Sequence, residues 1–266
     1  MTSLAPTTPI LAEIEAHQRR ARRRFRAQSA SVWVVLIGGL GIALWATGNI
    51  NADFIGTWGP FIVEGAWITV LLSVTSIIFA TGLAILGAIG RLSENAFING
   101  AASLYVSLVR GTPLLVQIFF VYYALPQFGV ALPSIPAGII ALSFNYGAYM
   151  TEIFRAGIQA VPRGQREAAE SLGMPERLVM WRIVLPQAFR IVIPAIGNDF
   201  VAMIKDSALV STIAVQELLW RASKIGTRHF RTLETLLIAA VVYWLLTIVF
   251  SYFQERLERR MAQGDR

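Results

Sequence analysis

The sequence predicts an all-α integral membrane protein, and three observations predict it. Of 266 residues, 55% are hydrophobic and only 15% are charged, whereas a soluble domain carries about a quarter charged residues. Mean hydropathy is +0.58, which matches a surface that largely faces lipid. Six apolar runs reach or approach the roughly 20 residues a helix needs to cross a bilayer. They are Ser31–Gly48, Ile62–Gly90, Leu108–Leu125, Ala137–Phe154, Ile191–Ile204 and Thr235–Phe253. About six transmembrane helices in one membrane domain are therefore expected.

The first run follows Arg19, Arg20, Arg22, Arg23, Arg24 and Arg26. A basic stretch, an apolar run and Ala46-Thr47-Gly48 also fit a secretory signal. The long leading segment and the bulky Trp45 favour a retained anchor helix, with the basic block holding the N-terminus in the cytoplasm. In the second run Ala80, Ala84 and Ala88 recur four residues apart, with Gly82, Gly87 and Gly90 nearby. Such a stripe lets membrane helices approach closely, although glycine is also generally enriched in membrane helices.

Counting crossings gives the rest of the topology. The second helix returns to the cytoplasm at Arg91, and the third leaves after Arg110. The uncharged loop Pro126–Pro136 is external, and the fourth helix re-enters at Arg155. The arginine-rich stretch Arg155–Arg190 is cytoplasmic, as is the tail from Glu255. The fifth run is short unless it begins near Leu185 or passes Lys205. Residues 205–232 disagree with the orientation rule, because they carry Lys205, Arg221, Lys224, Arg228 and Arg231 and yet fall outside.

Other function classes find little support. The net charge of +7 clusters at the ends of apolar runs, as membrane orientation requires, and not along a nucleic-acid groove. There are no cysteines, so thiolate metal sites and cysteine nucleophiles are excluded. His17 and His229 have no partner at metal-ligand spacing. No H-E-x-x-H or G-x-S-x-G motif occurs, so no catalytic residue, metal site or enzymatic activity is expected.

One cytoplasmic segment carries a pattern of its own. Glu167-Ala168-Ala169-Glu170-Ser171-Leu172-Gly173 is followed after nine residues by Ile183-Val184-Leu185-Pro186. Physically it reads as a short helix, a stop and a second helix. Pro162-Arg163-Gly164 makes the turn before it. Glu167 and Glu170 are expected early in the first helix, where they complement its positive end. Gly173 suits a left-handed cap, and Pro175 the first position of the next helix.

This pattern resembles the cytoplasmic loop signature of type I importer permeases of the ATP-binding-cassette class. All its fixed positions are met, by Glu167, Ala168, Ala169, Gly173, Ile183, Leu185 and Pro186. The flanks Arg110–Gln117, Ala148–Arg155 and Lys205–Ser211 look like the polar amino acid uptake subfamily. The resemblance covers roughly residues 60–255 and implies a core of five helices, with the first helix an added element. Outside it, the charge and hydropathy pattern gives a basic cytoplasmic tail over 1–30 and an extra helix and external loop over 31–60. The resemblance implies a permease domain over 61–254 with a coupling loop at 155–190, and the topology leaves a cytoplasmic tail at 255–266.

The resemblance also implies partners. They are a cytoplasmic ATPase dimer gripped by the loop, a second permease subunit, and an external amino-acid-binding protein. The chain itself has no G-x-x-x-x-G-K-[ST] phosphate cradle, and neither lysine follows a glycine. No cofactor is therefore expected in this chain, with ATP bound by the partner. The implied location is the bacterial inner membrane, with both termini cytoplasmic.

Polar residues inside apolar runs are costly and mark candidate substrate contacts. Glu64, Gln117, Asn145, Tyr146, Asn198, Lys205 and Asp206 qualify, and Ser207 adjoins them. Asp206 is placed as acceptor of a substrate ammonium, with Asn145 and Gln117 as donors to its carboxylate. The alternative is that these residues bond between helices or sit at helix ends. Rival functions are a permease for another small polar solute, or a channel or secondary transporter that needs no ATPase.

Overall fold

A computed structural model describes residues 9–46 and 50–262. Every regular element among them is helical. Contacts divide the chain at Asp53 into two units.

The first unit holds one helix, α1 (Pro9–Ala46), which runs unbroken from the arginine block through the apolar run. The helix thus begins well before Ser31, and Thr47 and Gly48 lie outside the described residues.

The second unit, from Phe54, holds all but the first two residues of α2 (Ala52–Leu92), which extends the expected run at both ends. A turn leads to α3 (Ala96–Arg110), capped by the Asn95 side chain, which accepts from Phe97 and Ile98 N–H at 2.9 and 3.3 Å. The expected helix Leu108–Leu125 does not form as one piece. α3 ends at Arg110, and α4 (Leu114–Phe119) departs at 106°. Pro113 lacks an N–H and disfavours helical geometry in the residue before it. Gln117 staples the bend, its Nε2 donating to Val109 O at 2.8 Å and Thr112 O at 3.1 Å.

α5 (Ser134–Gln159) lies at the centre of the unit, with half of its residues buried. Its polar composition keeps it off the set of plainly apolar spans. At ~1.5 Å per residue its 26 residues still reach about 39 Å, enough for a bilayer. Neighbouring helices press close on it through small residues. A Cβ at Gly87 of α2 would collide with Thr151, and one at Gly157 would collide with Val192. Ala80, Ala84 and Ala88 are all buried in the main apolar cluster. The small-residue stripe of α2 is therefore a packing surface, as close helix approach in lipid requires.

The chain then forms α6 (Arg163–Ser171) and the single turn α7 (Glu176–Val179). A wide turn at Met180–Val184 leads into α8 (Leu185–Asp206). The fifth run does begin at Leu185. A 3-10 stretch, Ser207–Ile213, precedes α9 (Leu218–His229), and α10 (Thr232–Ala262) closes the fold. The tail from Glu255 is thus largely a continuation of α10. Four helical stretches are long and apolar enough to span a membrane, and the bent pair α3–α4 makes five.

Two of the five basic residues that the orientation rule leaves unexplained are held by acidic partners at α9 and just beyond it. Arg221 is buried and bonds Glu64 Oε2 at 2.6 Å and Phe61 O at 3.0 Å. Arg231 pairs with the buried Glu234 at 2.6 Å. Glu217 caps α9 and is fully buried against Thr69 of α2 and Tyr243 of α10.

Candidate functional site

Two features gather the residues that the sequence singles out. The first is a cavity of about 510 Å³ between the α3–α4 bend, the middle of α5 and the far half of α8. Asn145, Tyr146 and Tyr149 line it from α5. Asp199, Ala202 and Asp206 line it from α8, at i, i+3 and i+7 on one helical face. Arg110 and the bend residues Gly111–Leu114 complete it.

Charge in this cavity is incompletely paired. Asp206 accepts the Tyr146 hydroxyl at 2.8 Å. Asp199 keeps a buried carboxylate oxygen, Oδ2, with no hydrogen-bond donor. The Arg110 guanidinium lies over the Tyr149 ring at 5.1 Å and makes no ion pair with the described residues. A buried polar atom without a partner is expensive, and charges inside an apolar bundle mark a functional site by default. One guanidinium and two carboxylates on opposing helices suit a solute that carries both signs of charge.

The expected substrate residues fall into two groups. Tyr146, Asn145 and Asp206 line the cavity. Gln117 does not; it holds the bend and accepts from Asn145 Nδ2 at 3.2 Å. Ser207 is fully buried, and its hydroxyl donates to Ile204 O at 2.7 Å, so it faces the helix end and not the cavity. Glu64 pairs with Arg221, and Asn198 accepts from Gln254 of α10 at 2.7 Å. Lys205 is exposed at the end of α8.

Arg110, Asp199 and Tyr149 escape the sequence reading. Arg110 reads as a membrane-boundary arginine only if the third helix starts near it. Because Asn95 starts α3, the 15 residues of the helix carry Arg110 about 22 Å from the α2–α3 turn. Ser93-Glu94-Asn95 is the local cap signal that reveals this start. The seven-residue spacing of Asp199 and Asp206 is the signal for a shared face.

The second feature is the segment at the opposite ends of these helices. α6 closes in a left-handed turn: Gly173 has φ +77°. Gly173 N–H reaches Glu170 O at 2.8 Å, and Met174 N–H reaches back to Ala169 O at 3.1 Å. This paired closure is the Schellman arrangement, with Met174 packed near Ala169. Pro175 sits one residue ahead of α7, at its N-cap position. The two glutamates are not early in α6. The helix starts at Arg163, directly after Pro162, so Glu167 is mid-helix and Glu170 falls in the last turn.

Exposure divides the signature residues. Ala169 is buried with Val161, Val179, Val184 and Ala188, and Ile183 packs against that cluster. Leu185 is partly buried at the start of α8, and Pro186 is exposed in its first turn. Glu167, Ala168 and Gly173 face outward, and Leu172 is 83% exposed. Arg166 ties the helix to α5 by donating to Ile158 O at 3.0 Å. Nearby, Glu152 of α5 bridges Arg91 of α2 and its own neighbour Arg155, at 3.0 and 2.7 Å.

A helical membrane bundle with a charged cavity between its spans is the build of a solute permease. Residues 80–263 match the profile of binding-protein-dependent transport system inner membrane components, and the chain belongs to that family. It is 42% identical over 203 residues to the L-cystine transport system permease protein TcyB of Bacillus subtilis (strain 168), covering 76% of this chain and 87% of that protein. It is 37% identical over 219 residues to the arginine transport system permease protein ArtQ of the same organism, covering 81% of this chain and all of that protein. A crystal structure of an amino acid ABC transporter with histidines superposes with a TM-score of 0.75 at 38% identity, over 79% of this chain and all of its own. An inward-facing MetNI methionine ABC transporter shares the fold, with a TM-score of 0.65 at 15% identity over 80% of this chain and 99% of its own.

Proposed function

We propose that this chain is the pore-forming permease subunit of an ATP-driven importer of amino acids in a bacterial inner membrane. The observation that carries the substrate class is the cavity: Arg110, without an ion pair among the described residues, opposite Asp199 and Asp206. An α-amino acid presents a carboxylate to the guanidinium, which holds it through paired N–H donors. Its ammonium goes to Asp206, oriented by Tyr146, with Asp199 beside it. Asn145 lies close enough on α5 to add a donor. The names of the relatives, which include cystine and arginine permeases, agree with this class.

Coupling falls to α6. In this reading Glu167, Ala168 and the exposed Leu172 meet the ATPase. Ala169 and Ile183 fix the helix to its own core, Gly173 ends it, and Leu185 and Pro186 launch α8. Movement of α6 passes to α5 through Arg166 and the shared apolar cluster, and α5 carries three of the cavity's side chains. The subunit hydrolyses nothing itself. A second permease subunit, an ATPase dimer and an external binding protein complete the importer.

The arginine-rich end with α6 is placed in the cytoplasm by the positive-inside rule, together with both termini. Residues 61–254 form the permease domain, with coupling segment 155–190. Residues 1–30 are a basic tail, 31–60 an added helix and external loop, and 255–266 an inner tail.

The test is uptake of labelled amino acids by the full complex in proteoliposomes. Asp206→Asn should reduce uptake while the ATPase still copurifies. Unchanged uptake would remove Asp206 from the substrate path.

A further inference from the structure

α1 carries the densest charge in the chain, and it is all of one sign. Residues 19–26 hold six arginines, and no Asp or Glu lies between Glu15 and Asp53. Arg20, Arg23 and Arg24 are exposed and make no ion pair with the described residues. Arg23 and Arg24 stand three and four residues after Arg20, where like charges oppose the helix. The helix nevertheless runs unbroken from Pro9 to Ala46, through the block and into the apolar run.

That continuity fixes the depth of the arginines. Residues 27–46 carry no charge and measure about 30 Å along the axis, the thickness of a bilayer's hydrocarbon core. With its headgroups a bilayer measures about 40–45 Å, so each headgroup layer is about 5–8 Å deep. Arg24 and Arg23 stand about 5–6 Å beyond residue 27, and Arg20 about 10 Å, which puts this turn at the lipid phosphates. Phe25, 73% exposed in the same turn, lies where acyl chains meet headgroups. A coil would let these charges drift, whereas a continuous helix holds them at one depth.

We infer that Arg20, Arg23 and Arg24 of α1 hold anionic phospholipid headgroups of the cytoplasmic leaflet. Guanidinium groups donate charge-assisted hydrogen bonds to phosphate oxygens, and basic clusters immediately cytoplasmic of a span attract anionic lipid. Phosphates set between the arginines also relieve the repulsion that the helix otherwise carries. An acidic protein partner fits less well, because the turn lies largely within the headgroup layer and not clear of it. α1 stands outside residues 80–263, which match the family profile, so no role comes to it from that match. The inference rests on the proposed orientation and is independent of what the pore carries.

The test uses the entire chain in nanodiscs and reads lipid contact at α1 alone. The chain has no cysteine, so Q28C carries a single fluorophore on an exposed position beside the turn. Phosphatidylglycerol or phosphatidylcholine, each spin-labelled near the headgroup, is titrated into a phosphatidylcholine bilayer as quencher. Phosphatidylglycerol should half-quench at about a fifth of the mole fraction that phosphatidylcholine needs, the scale of one arginine's attraction to an anionic surface. High salt should shrink this preference, and R20Q/R23Q/R24Q should abolish it. Arg19, Arg22 and Arg26 remain in that variant to hold the orientation. R20K/R23K/R24K keeps the charge and should keep most of the preference. Equal quenching by the two lipids with the block intact overturns the inference, as does a preference that survives R20Q/R23Q/R24Q. Equal loss in R20K/R23K/R24K would assign the effect to helix packing and overturn it too. In cells, H17C labelled from outside by an impermeant maleimide would overturn the orientation, and the leaflet assignment with it.

Discussion

Tyr146 of α5 donates its hydroxyl to the Asp206 carboxylate of α8 across 2.8 Å. This bond joins the two helices that face each other over the cavity. Tyr146→Phe keeps the ring and removes the donor. Leaving a largely buried acceptor short of a partner costs about 1–3 kcal/mol. The expected result is a several-fold rise in the substrate concentration for half-maximal uptake, with the complex still assembled. Uptake kinetics identical to wild type would show that the bond does not orient the carboxylate for substrate.

Among the described residues, Arg110 is the only positive one lining that cavity. Arg110→Gln should lower uptake on the order of a hundredfold, the scale of truncating one partner of a desolvated charge pair. Arg110→Lys should recover only part of this, because an ammonium lacks the planar fork that matches a carboxylate. Full recovery by lysine would mean that a point charge suffices. Equal uptake in all three would place the guanidinium outside the substrate path.

Gly173 and Glu167 test the coupling segment in different ways. Gly173→Asp forces a side chain into φ +77°, a cost of about 1–2 kcal/mol. It should unseat the end of α6 and abolish uptake, with the permease still in the membrane. Glu167→Lys acts on an exposed side chain, so the melting temperature should hold while ATP hydrolysis and uptake come apart. Normal coupling in both variants would remove α6 from the ATPase interface.

The sequence made some of this legible and hid the rest for definable reasons. Hydropathy located the spans because lipid exposure is an average over many residues. Gly173 was legible because a left-handed cap needs one residue type at one position, and φ +77° confirms that geometry. Arg110 was misplaced because hydropathy does not register a 106° bend at Gly111–Pro113 inside an apolar run. Gln117 and Ser207 looked like ligands because polarity alone does not distinguish a side chain facing a cavity from one bonded to backbone. Glu217 drew no notice because its partners, Thr69 and Tyr243, come from distant helices.

Glu217 carries the last prediction. It lies between the spans, fully buried at the start of α9, where it accepts Trp220 N–H at 2.7 Å and the Tyr243 hydroxyl. Burial pushes its carboxyl above the ordinary value of 4.5, and the hydrogen bonds from Tyr243, the α9 backbone and Thr69 only partly offset this. The folded protein therefore holds this proton more tightly than the unfolded chain does. Below 4.5 both states are protonated and the contribution to stability is fully present. As pH rises through the folded value, the unfolded state has already released its proton and stability falls. Glu217→Gln keeps an oxygen for Trp220 and Tyr243 and removes the titration. Its melting temperature should vary less with pH than that of wild type and exceed it above neutrality, while uptake persists. A variant that melts lower than wild type at every pH would show that the hydrogen bonds to the ionised carboxylate outweigh the cost of burying it.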